Sequence, residues 1–282
     1  MLGTIALDID GTLTTDGKGQ LIHAPVAKCL NDLANKGWRL IFLTGRAMDS
    51  AQRILSPLKF NYYLAAQNGA IVFEMPSCKM TYKQYLNRSI IAKMEAICLN
   101  FASDFAVYSG YENKDAVYYR PKKFSKDLLS YLEKRAKVYH EIWYPMESFD
   151  EMPICDFPTV KCFESSFETA NEISRLITDN LKLHAPVIKD PFNPSFYVIQ
   201  ASHSTCTKGL TLLNLFQILG RQGVTIAAGD DMNDLCMLKV ADIKIAMSHS
   251  PKELLSLADI ISKPYVEYPI IDALYEAVRH VF

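Results

Sequence analysis

The sequence predicts an α/β protein in which a doubly wound parallel sheet is interrupted by an inserted α+β domain. Near both ends of the chain, short apolar segments typical of buried strands alternate with amphipathic helices. Several of these strands end in small polar or acidic residues, and ligands bind at the carboxyl ends of the strands in such sheets. The middle of the chain instead has tyrosine-rich strands and a hairpin. We therefore expect a core from residues 1–81 and 202–282, and an inserted domain from residues 82–201.

The first predicted strand, Thr4–Leu7, runs directly into two aspartates and a glycine. Because side chains alternate along a strand, extended backbone would project Asp8 and Asp10 to the same side, and Gly11 lets the chain turn. Two neighbouring carboxylates repel each other unless a cation or a shared proton separates them. Oxygen ligands suit Mg²⁺. For this motif by itself, a solvated turn is the alternative.

The first part of the core continues with elements that each end in a turn signal. A helix is predicted to begin near Pro25 and end at Gly37. Three strands are predicted after it, of which the first leads into Thr44-Gly45-Arg46 and the second into Gln67-Asn68-Gly69: Arg39–Leu43, Tyr63–Ala66 and Ile71–Glu74.

The inserted domain is predicted to mix helices and strands with its own sheet. Its three predicted helices are Tyr82–Ala102, Ser125–Val138 and Phe167–Leu181. Its predicted strands are Phe105–Tyr111, Ala116–Arg120, Thr159–Phe163, and a hairpin with arms Pro186–Asp190 and Phe196–Ile199 around a turn at residues 191–195.

The pattern of the core returns after residue 202. A strongly apolar helix opens at Thr207-Lys208-Gly209, and a buried strand, Val224–Ala228, ends in Gly229-Asp230-Asp231-Met232-Asn233-Asp234. A shorter strand, Ile243–Ala246, and an amphipathic helix from Tyr268 to Val281 complete the prediction.

Composition excludes several classes of partner. The 30 basic and 31 acidic residues nearly balance, which gives no electrostatic case for binding nucleic acid or an anionic membrane. The seven cysteines are scattered, with no Cys-x-x-Cys pair, so we expect reduced thiols in a cytoplasmic protein. No apolar stretch approaches the ~18 residues that a transmembrane helix requires, and the N-terminus lacks the features of a signal peptide.

Four polar segments at strand ends and helix starts are expected to form one functional site. The acidic pair at Asp8 and Asp10 and the cluster around Asp230 indicate a cation site. Thr44, Lys208 and the amides at helix starts add an anion site beside it. A site that holds magnesium and an oxyanion together is what phosphoryl transfer requires.

These segments, in this order, resemble the motifs of the haloacid dehalogenase-like (HAD) phosphatase superfamily. The motifs are Asp-x-Asp-Gly-Thr from Asp8, Thr-Gly-Arg from Thr44, Lys-Gly from Lys208, and Gly-Asp-x-x-Asn-Asp from Gly229. Together with Asn68-Gly69-Ala70 and the large insert, they are most similar to the Cof-type branch. Each motif is weak alone, but the ordered set is highly specific. The resemblance implies a Rossmann-like catalytic core with an inserted cap domain.

The resemblance also implies roles for individual residues. Asp8 would be the nucleophile that forms an aspartyl-phosphate, and Asp10 the general acid and base. Thr44, Gly45, Lys208 and Asn233 would bind the phosphoryl group. The metal, Mg²⁺, would be held by four aspartates, with Asp10 contributing its backbone carbonyl and Asp234 acting directly or through water: Asp8, Asp10, Asp230 and Asp234.

Other residues near these motifs have simpler interpretations. Asp231 is expected to be a solvated acid at a helix start. For Asn68, a part in the motif set and a simple tight turn with Gly69 both stay open. For Arg46, a catalytic role and a surface charge both stay open. The six histidines are expected to be packing or surface residues.

The chain also departs from the Cof-type pattern at two places. Where that branch has Met-Gly-Asn-Ala, this sequence has Met247-Ser248-His249-Ser250, and a later signature is replaced by Lys263-Pro264-Tyr265-Val266-Glu267-Tyr268. Both segments border the expected site. We therefore expect this protein to differ from typical Cof-type members in its choice of substrate.

We therefore expect a magnesium-dependent phosphatase for small phosphorylated metabolites, with sugar phosphates the leading class. A sugar phosphomutase, which shares this type of cap, and a non-catalytic sensor of a phosphorylated ligand are the alternatives. Release of free phosphate distinguishes the phosphatase from the other two. A sensor would have no need to keep mutually repelling charges such as Asp8, Asp10 and Asp230 together.

Overall fold

A computed structural model describes residues 2–14, 20–101, 103–190, 192–264 and 266–281. The chain divides into two compact units. The first comprises Met1–Gly45, Ala51–Tyr82 and Thr207–Phe282, and the second comprises Arg46–Ser50 and Lys83–Cys206. The predicted domain boundaries are at residues 81/82 and 201/202, and no predicted boundary separates the short segment 46–50, which groups with the insert.

The first part of the first unit alternates strands and helices. Helix α1 begins at a proline-containing turn and buries Val26, Leu30 and Leu33 on one face. The elements are β1 (Gly3–Leu7), α1 (Ala24–Asn35), β2 (Trp38–Leu43), α2 (Met48–Ile54), β3 (Tyr62–Ala66), β4 (Ile71–Met75) and β5 (Lys79–Lys83). The first three residues of α2 and the last residue of β5 group with the second unit.

The second unit has its own antiparallel-rich sheet. Its elements are β6 (Leu86–Asn87), α3 (Ile90–Cys98), β7 (Phe105–Tyr108), β8 (Val117–Tyr119), α4 (Lys126–Tyr139), β9 (Trp143–Pro145), β10 (Asp156–Phe157), β11 (Thr159–Glu164), α5 (Phe167–Leu181), β12 (Val187–Lys189) and β13 (Tyr197–Ser202). Six strands lie in the order β12-β13-β11-β7-β8-β9, so β11 is central. The predicted hairpin is present as the antiparallel pair β12 and β13, and Pro191 of its predicted turn lies outside the described residues.

The first unit is completed by the C-terminal part of the chain. These elements are α6 (Lys208–Leu219), β14 (Val224–Gly229), α7 (Leu235–Leu238), β15 (Ile243–Ala246), α8 (Lys252–Leu257), β16 (Ile260–Ile261) and α9 (Pro269–Arg279). In the described residues its sheet has the order β16-β15-β14-β1-β2-β3-β4-β5. The strands from β16 to β3 are parallel, and β4 runs antiparallel to β3. The mixed α/β class with a parallel sheet and helices is the one that the sequence predicts.

The predicted helix from Tyr82 to Ala102 is wrong in its first half. The structure has the end of β5 and the short β6 there, and α3 begins only at Ile90. The Asn87 side chain accepts a hydrogen bond from the Ser89 backbone N–H at 2.9 Å. A turn of this kind just before Ile90 is typical of the residues that precede a helix. The apolar residues after it led the prediction to extend the helix too far toward the N-terminus. Ala102, the last residue of the prediction, lies outside the described residues.

Three neighbouring strands bring the polar segments to one edge of the first unit's sheet. Leu7 of β1 is in register with Phe42 of β2 on one side and with Ala228 of β14 on the other. The backbone N–H of Asp8 donates to the carbonyl of Ala228 at 3.0 Å. Because the three parallel strands end at the same level, the residues that follow them share one edge of the sheet.

Candidate active site

Asp8 lies at the end of β1 and is almost completely buried. Residues 9–14 form a tight turn after it, in which the N–H groups of Leu13 and Thr14 both donate to the Ile9 carbonyl. The Oδ2 atom of Asp8 is buried and has no hydrogen-bond partner among the described residues. A buried carboxylate oxygen without a partner is costly, so its position suggests a ligand.

Lys208 is the first residue of α6 and is 1 % exposed. Thr207 caps the helix, since its side chain accepts a hydrogen bond from the Leu210 N–H at 3.1 Å. A Cβ on Gly209 would lie 2.4 Å from the Cys236 carbonyl oxygen, so a glycine is required for α6 to pack this closely against the start of α7. This close approach places the Lys208 ammonium among the acidic residues.

The Lys208 ammonium joins two of the predicted site residues. Its Nζ lies 2.5 Å from Asp8 Oδ1 and 2.6 Å from Asp234 Oδ1. Burial lowers the pKa of a lysine, but the two carboxylates outweigh burial, and the pKa of Lys208 is raised. Lys208 is therefore a permanent cation.

The acidic segment after β14 forms a compact turn. Asp234 Oδ2 accepts hydrogen bonds from the N–H groups of Asp230 at 3.0 Å and Asp231 at 3.1 Å. Asp231 caps the short helical turn Met232–Asp234, with its Oδ1 accepting from the Met232 N–H at 2.7 Å. This agrees with the helix-start role predicted for Asp231. Asp234 thus fixes both the turn and Lys208.

Three carboxylates converge in this region. Asp8, Asp230 and Asp234 each offer an oxygen, and these oxygens lie within 4.8 Å of one another. Burial raises the pKa of Asp8, which Lys208 opposes, and burial raises the pKa of Asp230 to about 6. A divalent cation would favour the ionised carboxylates and would give Asp8 Oδ2 a partner. The residues therefore fit a hard cation with oxygen ligands.

Asp10 and Asn233 lie in the two turns that follow β1 and β14. Asp10 is half-buried and forms a bridge with Thr14. Its side chain is not part of the three-carboxylate group found among the described residues. Asn233 is half-buried, and its backbone carbonyl accepts a hydrogen bond from the Cys236 thiol.

Thr44 is buried at the end of β2, and its backbone is held on both sides. Its N–H donates to the Ala65 carbonyl at 2.9 Å, and its carbonyl accepts from the Asn68 N–H at 2.8 Å. Asn68 has a left-handed backbone conformation, with φ 56° and ψ 26°, in the tight turn Gln67–Gly69. Asn68 therefore supplies a tight turn, which was one of its two open interpretations, and the turn fixes Thr44.

Gly45 and Arg46 follow Thr44 directly. Gly45 is half-buried. Arg46, which belongs to the second unit, donates to Ser50 Oγ at 3.1 Å and lies over the Tyr139 ring, 4.9 Å from its centroid. These contacts make Arg46 more than a solvated surface charge.

His249 is a site residue that sequence reasoning missed. Its side chain is 59 % exposed, as expected for a surface histidine, but its Nε2 lies 3.4 Å from Asp230 Oδ2. The hydrogen bond to Asp230 raises the pKa of His249. The sequence feature that could have pointed to His249 is the departure from the Cof-type pattern at Met247-Ser248-His249-Ser250. In the second departure, Tyr265 lies outside the described residues.

All seven cysteines are free thiols, as predicted. None of the helices in the described ranges has both the length and the apolar character needed to cross a membrane.

Known proteins resemble this chain over nearly its full length. Residues 5–274 match the family model described as haloacid dehalogenase-like hydrolase. The chain is 25% identical over 304 residues to "Putative phosphatase YxeH" of Bacillus subtilis (strain 168), which covers 99% of both sequences. It is 23% identical over 280 residues to 5-amino-6-(5-phospho-D-ribitylamino)uracil phosphatase YcsE of the same strain, covering 98% of this chain and 94% of YcsE.

A solved structure has the same fold. The HAD subclass IIB sugar phosphatase BT4131 superposes with a TM-score of 0.69 at 20% identity, covering 99% of this chain and 98% of that one. At this identity the likeness supports the fold alone. The match to the family model supports the predicted resemblance: the chain belongs to the haloacid dehalogenase-like hydrolase family and is an HAD-type phosphoric monoester hydrolase.

Proposed function

We propose that this enzyme hydrolyses small phosphate monoesters, above all sugar phosphates, through an aspartyl-phosphate on Asp8, with Mg²⁺ as its cofactor. The observation that carries the proposal is the bridging position of Lys208 between Asp8 and Asp234, with the second oxygen of Asp8 buried and lacking a partner among the described residues. A carboxylate held in this way has one oxygen fixed and the other available to a ligand.

The names of similar proteins support the substrate class. BT4131 is named a sugar phosphatase, and the substrate in the name of YcsE carries its phosphate on a ribityl chain. Both names describe phosphate esters of polyhydroxylated carbon chains. The free state of all seven cysteines supports the further proposal of a reducing, cytoplasmic compartment.

In the first step, a carboxylate oxygen of Asp8 attacks phosphorus and the bond from phosphorus to the ester oxygen breaks. Asp10 donates its proton to the leaving oxygen, so the product alcohol departs neutral. In the second step, water attacks the phosphorus of the aspartyl-phosphate while Asp10 accepts a proton from it. Inorganic phosphate is released, and both aspartates return to their starting states.

The remaining residues bind and orient the phosphoryl group. Thr44, Gly45 and Asn233 would donate hydrogen bonds to its oxygens, and the Lys208 charge would stabilise their negative charge. Asp8, the Asp10 backbone carbonyl and Asp230 would hold Mg²⁺, with Asp234 acting directly or through water. When bound, Mg²⁺ would neutralise phosphoryl charge and align the group for attack.

The first test is release of inorganic phosphate from a panel of phosphate monoesters, with Mg²⁺ and with a chelator. We expect release from sugar phosphates that is lost on chelation and restored by Mg²⁺. Quenching during turnover and treatment with hydroxylamine should convert the aspartyl-phosphate to a hydroxamate at residue 8, which mass spectrometry detects.

Two outcomes would contradict the proposal. Transfer of phosphate within a sugar without release of free phosphate would indicate a phosphomutase. Binding of sugar phosphates without any turnover, by folded protein supplied with Mg²⁺, would indicate a sensor.

A further inference from the structure

His249 contacts one of the three converging carboxylates, although the proposed function gives it no role. It lies in the segment Met247-Ser248-His249-Ser250, which directly follows β15. Its Nε2 atom lies 3.4 Å from Asp230 Oδ2. The imidazole is 59 % exposed, whereas the side chain of Asp230 is 18 % exposed. The contact therefore joins a surface side chain to a largely buried member of the acidic group.

The backbone before His249 is hydrogen-bonded to the strand that leads to Asp230. Strands β14 and β15 are parallel neighbours, with Gly229 in register with Ala246. The Met247 N–H extends this pairing, since it donates to the Gly229 carbonyl at 3.2 Å. Gly229 directly precedes Asp230 in the sequence. The segment that contains His249 is therefore attached to the sheet within one residue of Asp230.

Two further hydrogen bonds fix the turn around His249. The Ser248 N–H donates to Ser262 Oγ at 3.0 Å. The Ser250 N–H donates to the Met247 carbonyl at 2.9 Å. Because the residues on both sides of His249 are hydrogen-bonded, the fold sets the position of its backbone. The backbone thus holds the imidazole within reach of the acidic group.

The orientation of the Asp230 carboxylate depends on this contact. The Asp230 backbone N–H donates to Asp234 Oδ2 at 3.0 Å, which fixes the main chain but not the side chain. Within the described ranges, the His249 imidazole is the one group that hydrogen-bonds to the Asp230 carboxylate. The same carboxylate oxygen also packs against Gly11, where a Cβ would lie 1.9 Å from it. His249 therefore completes the confinement of this oxygen.

The contact suits a hydrogen-bond donor better than a metal ligand. A neutral imidazole with its proton on Nε2 and an imidazolium both donate from this atom, so the contact does not depend on the charge of the ring. While Nε2 carries a proton, it has no lone pair for a metal. His249 is also not part of the group of carboxylates whose oxygens lie within 4.8 Å of one another. Donors that hold a metal-ligating carboxylate in place typically contribute about 10–100-fold to metal affinity.

We propose that His249 is a positioning residue, which donates a hydrogen bond from Nε2 to Asp230 and so holds this carboxylate ready for the divalent cation. The inference rests on the metal site of the proposed function. It gives a physical role to a residue at which the Cof-type pattern has asparagine. The amide nitrogen of an asparagine corresponds to Nδ1 of a histidine and that of a glutamine to Nε2, so glutamine is the substitute that would reach Asp230.

The test measures metal binding without any substrate. Mg²⁺ and Co²⁺ are titrated separately into the metal-free protein by isothermal calorimetry, which gives a Kd for each ion. The variants are His249→Ala, His249→Asn and His249→Gln. Matched controls are His280→Ala and His280→Gln, at an exposed histidine that follows α9 in the same unit. Urea unfolding of the metal-free proteins detects a purely structural effect.

We expect the Kd of both ions to rise by about tenfold in His249→Ala and His249→Asn, at the lower end of the usual range because the imidazole is exposed. His249→Gln should recover most of the affinity, and the His280 controls should keep the wild-type Kd. Unfolding of the metal-free proteins should be the same in all cases. In turnover assays, the Mg²⁺ concentration for half-maximal rate should rise by the same factor, with kcat at saturating Mg²⁺ retained.

Three results would overturn the inference. An unchanged Kd in His249→Ala would show that Asp230 needs no donor. A larger loss of affinity for Co²⁺ than for Mg²⁺ would show that His249 ligates the metal directly, because a nitrogen ligand favours the softer ion. Loss of metal-free stability without recovery of affinity in His249→Gln would show a structural role.

Failure of the proposed function gives a different set of results. If the wild type binds Mg²⁺ and the His249 variants behave as expected, but no ester releases phosphate, the phosphatase function fails while His249 keeps its role. If the wild type binds neither ion, the proposed metal site and this inference fail together.

Discussion

Lys208 and Lys161 are both buried lysines, one in each unit, and their surroundings are opposite. Lys208 contacts two carboxylates, at 2.5 and 2.6 Å. Lys161 has a tyrosine ring beside it and no carboxylate in contact among the described residues. The pKa of Lys208 is raised, whereas that of Lys161 is lowered to about 7. Burial acts on both in the same direction, so the partners decide the result.

This contrast shows how the fold can give different properties to the same side chain. A lysine paired with two carboxylates is fixed in charge and position, which suits a group that must orient a nucleophile and stabilise phosphoryl oxygens. A buried lysine without an ionic partner instead loses its proton more readily, because burial disfavours the charged form.

The largest expected effect concerns the carboxylate beside Lys208. Asp8→Asn removes the proposed nucleophile and should lower kcat by about 10⁴-fold or more on every substrate. The fold should persist, because Lys208 keeps Asp234 as a partner. Phosphate release measures the effect, circular dichroism checks folding, and the exposed Asp179→Asn serves as the isosteric control. Retained turnover in folded Asp8→Asn would remove Asp8 as the nucleophile.

The free energy of unfolding should respond differently when each of the two lysines is replaced by methionine. Lys208→Met leaves Asp8 and Asp234 buried without their cation, and should lower the free energy of unfolding by about 3–5 kcal/mol. Lys161→Met removes a charge that has no ionic partner, and should leave this free energy unchanged or raise it by up to about 2 kcal/mol. Urea unfolding near pH 7 measures both. Equal losses in the two variants would contradict the distinction.

The close packing around the acidic residues can be tested with a pair of glycines. Gly11 and Gly37 have φ angles of 79° and 95°, so an alanine at either position is strained by about 1–2 kcal/mol. A Cβ on Gly11 would lie 1.9 Å from Asp230 Oδ2, whereas a Cβ on Gly37 would meet nothing within 4 Å.

We therefore expect similar losses of stability in Gly11→Ala and Gly37→Ala, but a loss of activity only in Gly11→Ala. Displacing Asp230 by about 1 Å should cost on the order of 10²-fold in kcat/KM. Urea unfolding and steady-state kinetics of the two variants provide the comparison. Full activity in Gly11→Ala would show that the position of Asp230 is not critical.

The pH dependence of stability is an effect that is small for each pH unit. The folded pKa of Lys161, about 7, is below its usual value of 10.5. Between these values the unfolded chain holds a proton that the folded chain has released. The free energy of unfolding of the wild type should therefore rise with pH relative to Lys161→Met, by at most about 1.4 kcal/mol per pH unit. The charged and titratable groups that influence Lys161 are Arg135, Glu141, Arg46, Asp115 and Tyr108.

Asp115 should show the opposite slope. Burial raises its pKa from 3.8 to about 7, so between these values the folded chain holds a proton that the unfolded chain has released. The free energy of unfolding of the wild type should fall with rising pH relative to Asp115→Asn in this range. Urea unfolding of both variants at several pH values measures the two slopes. If the difference in free energy of unfolding between the wild type and either variant does not change with pH, the replaced side chain does not have a shifted pKa in the folded protein.

Much of the architecture could be predicted from local sequence. The strands at Thr4–Leu7, Arg39–Leu43 and Val224–Ala228 were recognised because continuous apolar runs ending in polar residues are typical of parallel strands. Helix α5 was predicted with the bounds that the structure shows. The prediction failed between Tyr82 and Ile90, where short strands depend on pairing with distant segments and carry little local signal.

The sequence by itself determined the family, the order of the motifs and the residue types available for phosphoryl chemistry. These follow from patterns within a few residues, which the local rules of strands, turns and helix starts can interpret. The tertiary structure alone decided which charges meet: Lys208 lies 200 positions from Asp8 along the chain, and His249 lies 19 from Asp230. It also left Lys161 and Asp115 buried without filling their hydrogen-bonding capacity, because the environment of a side chain is set by segments that are distant in sequence.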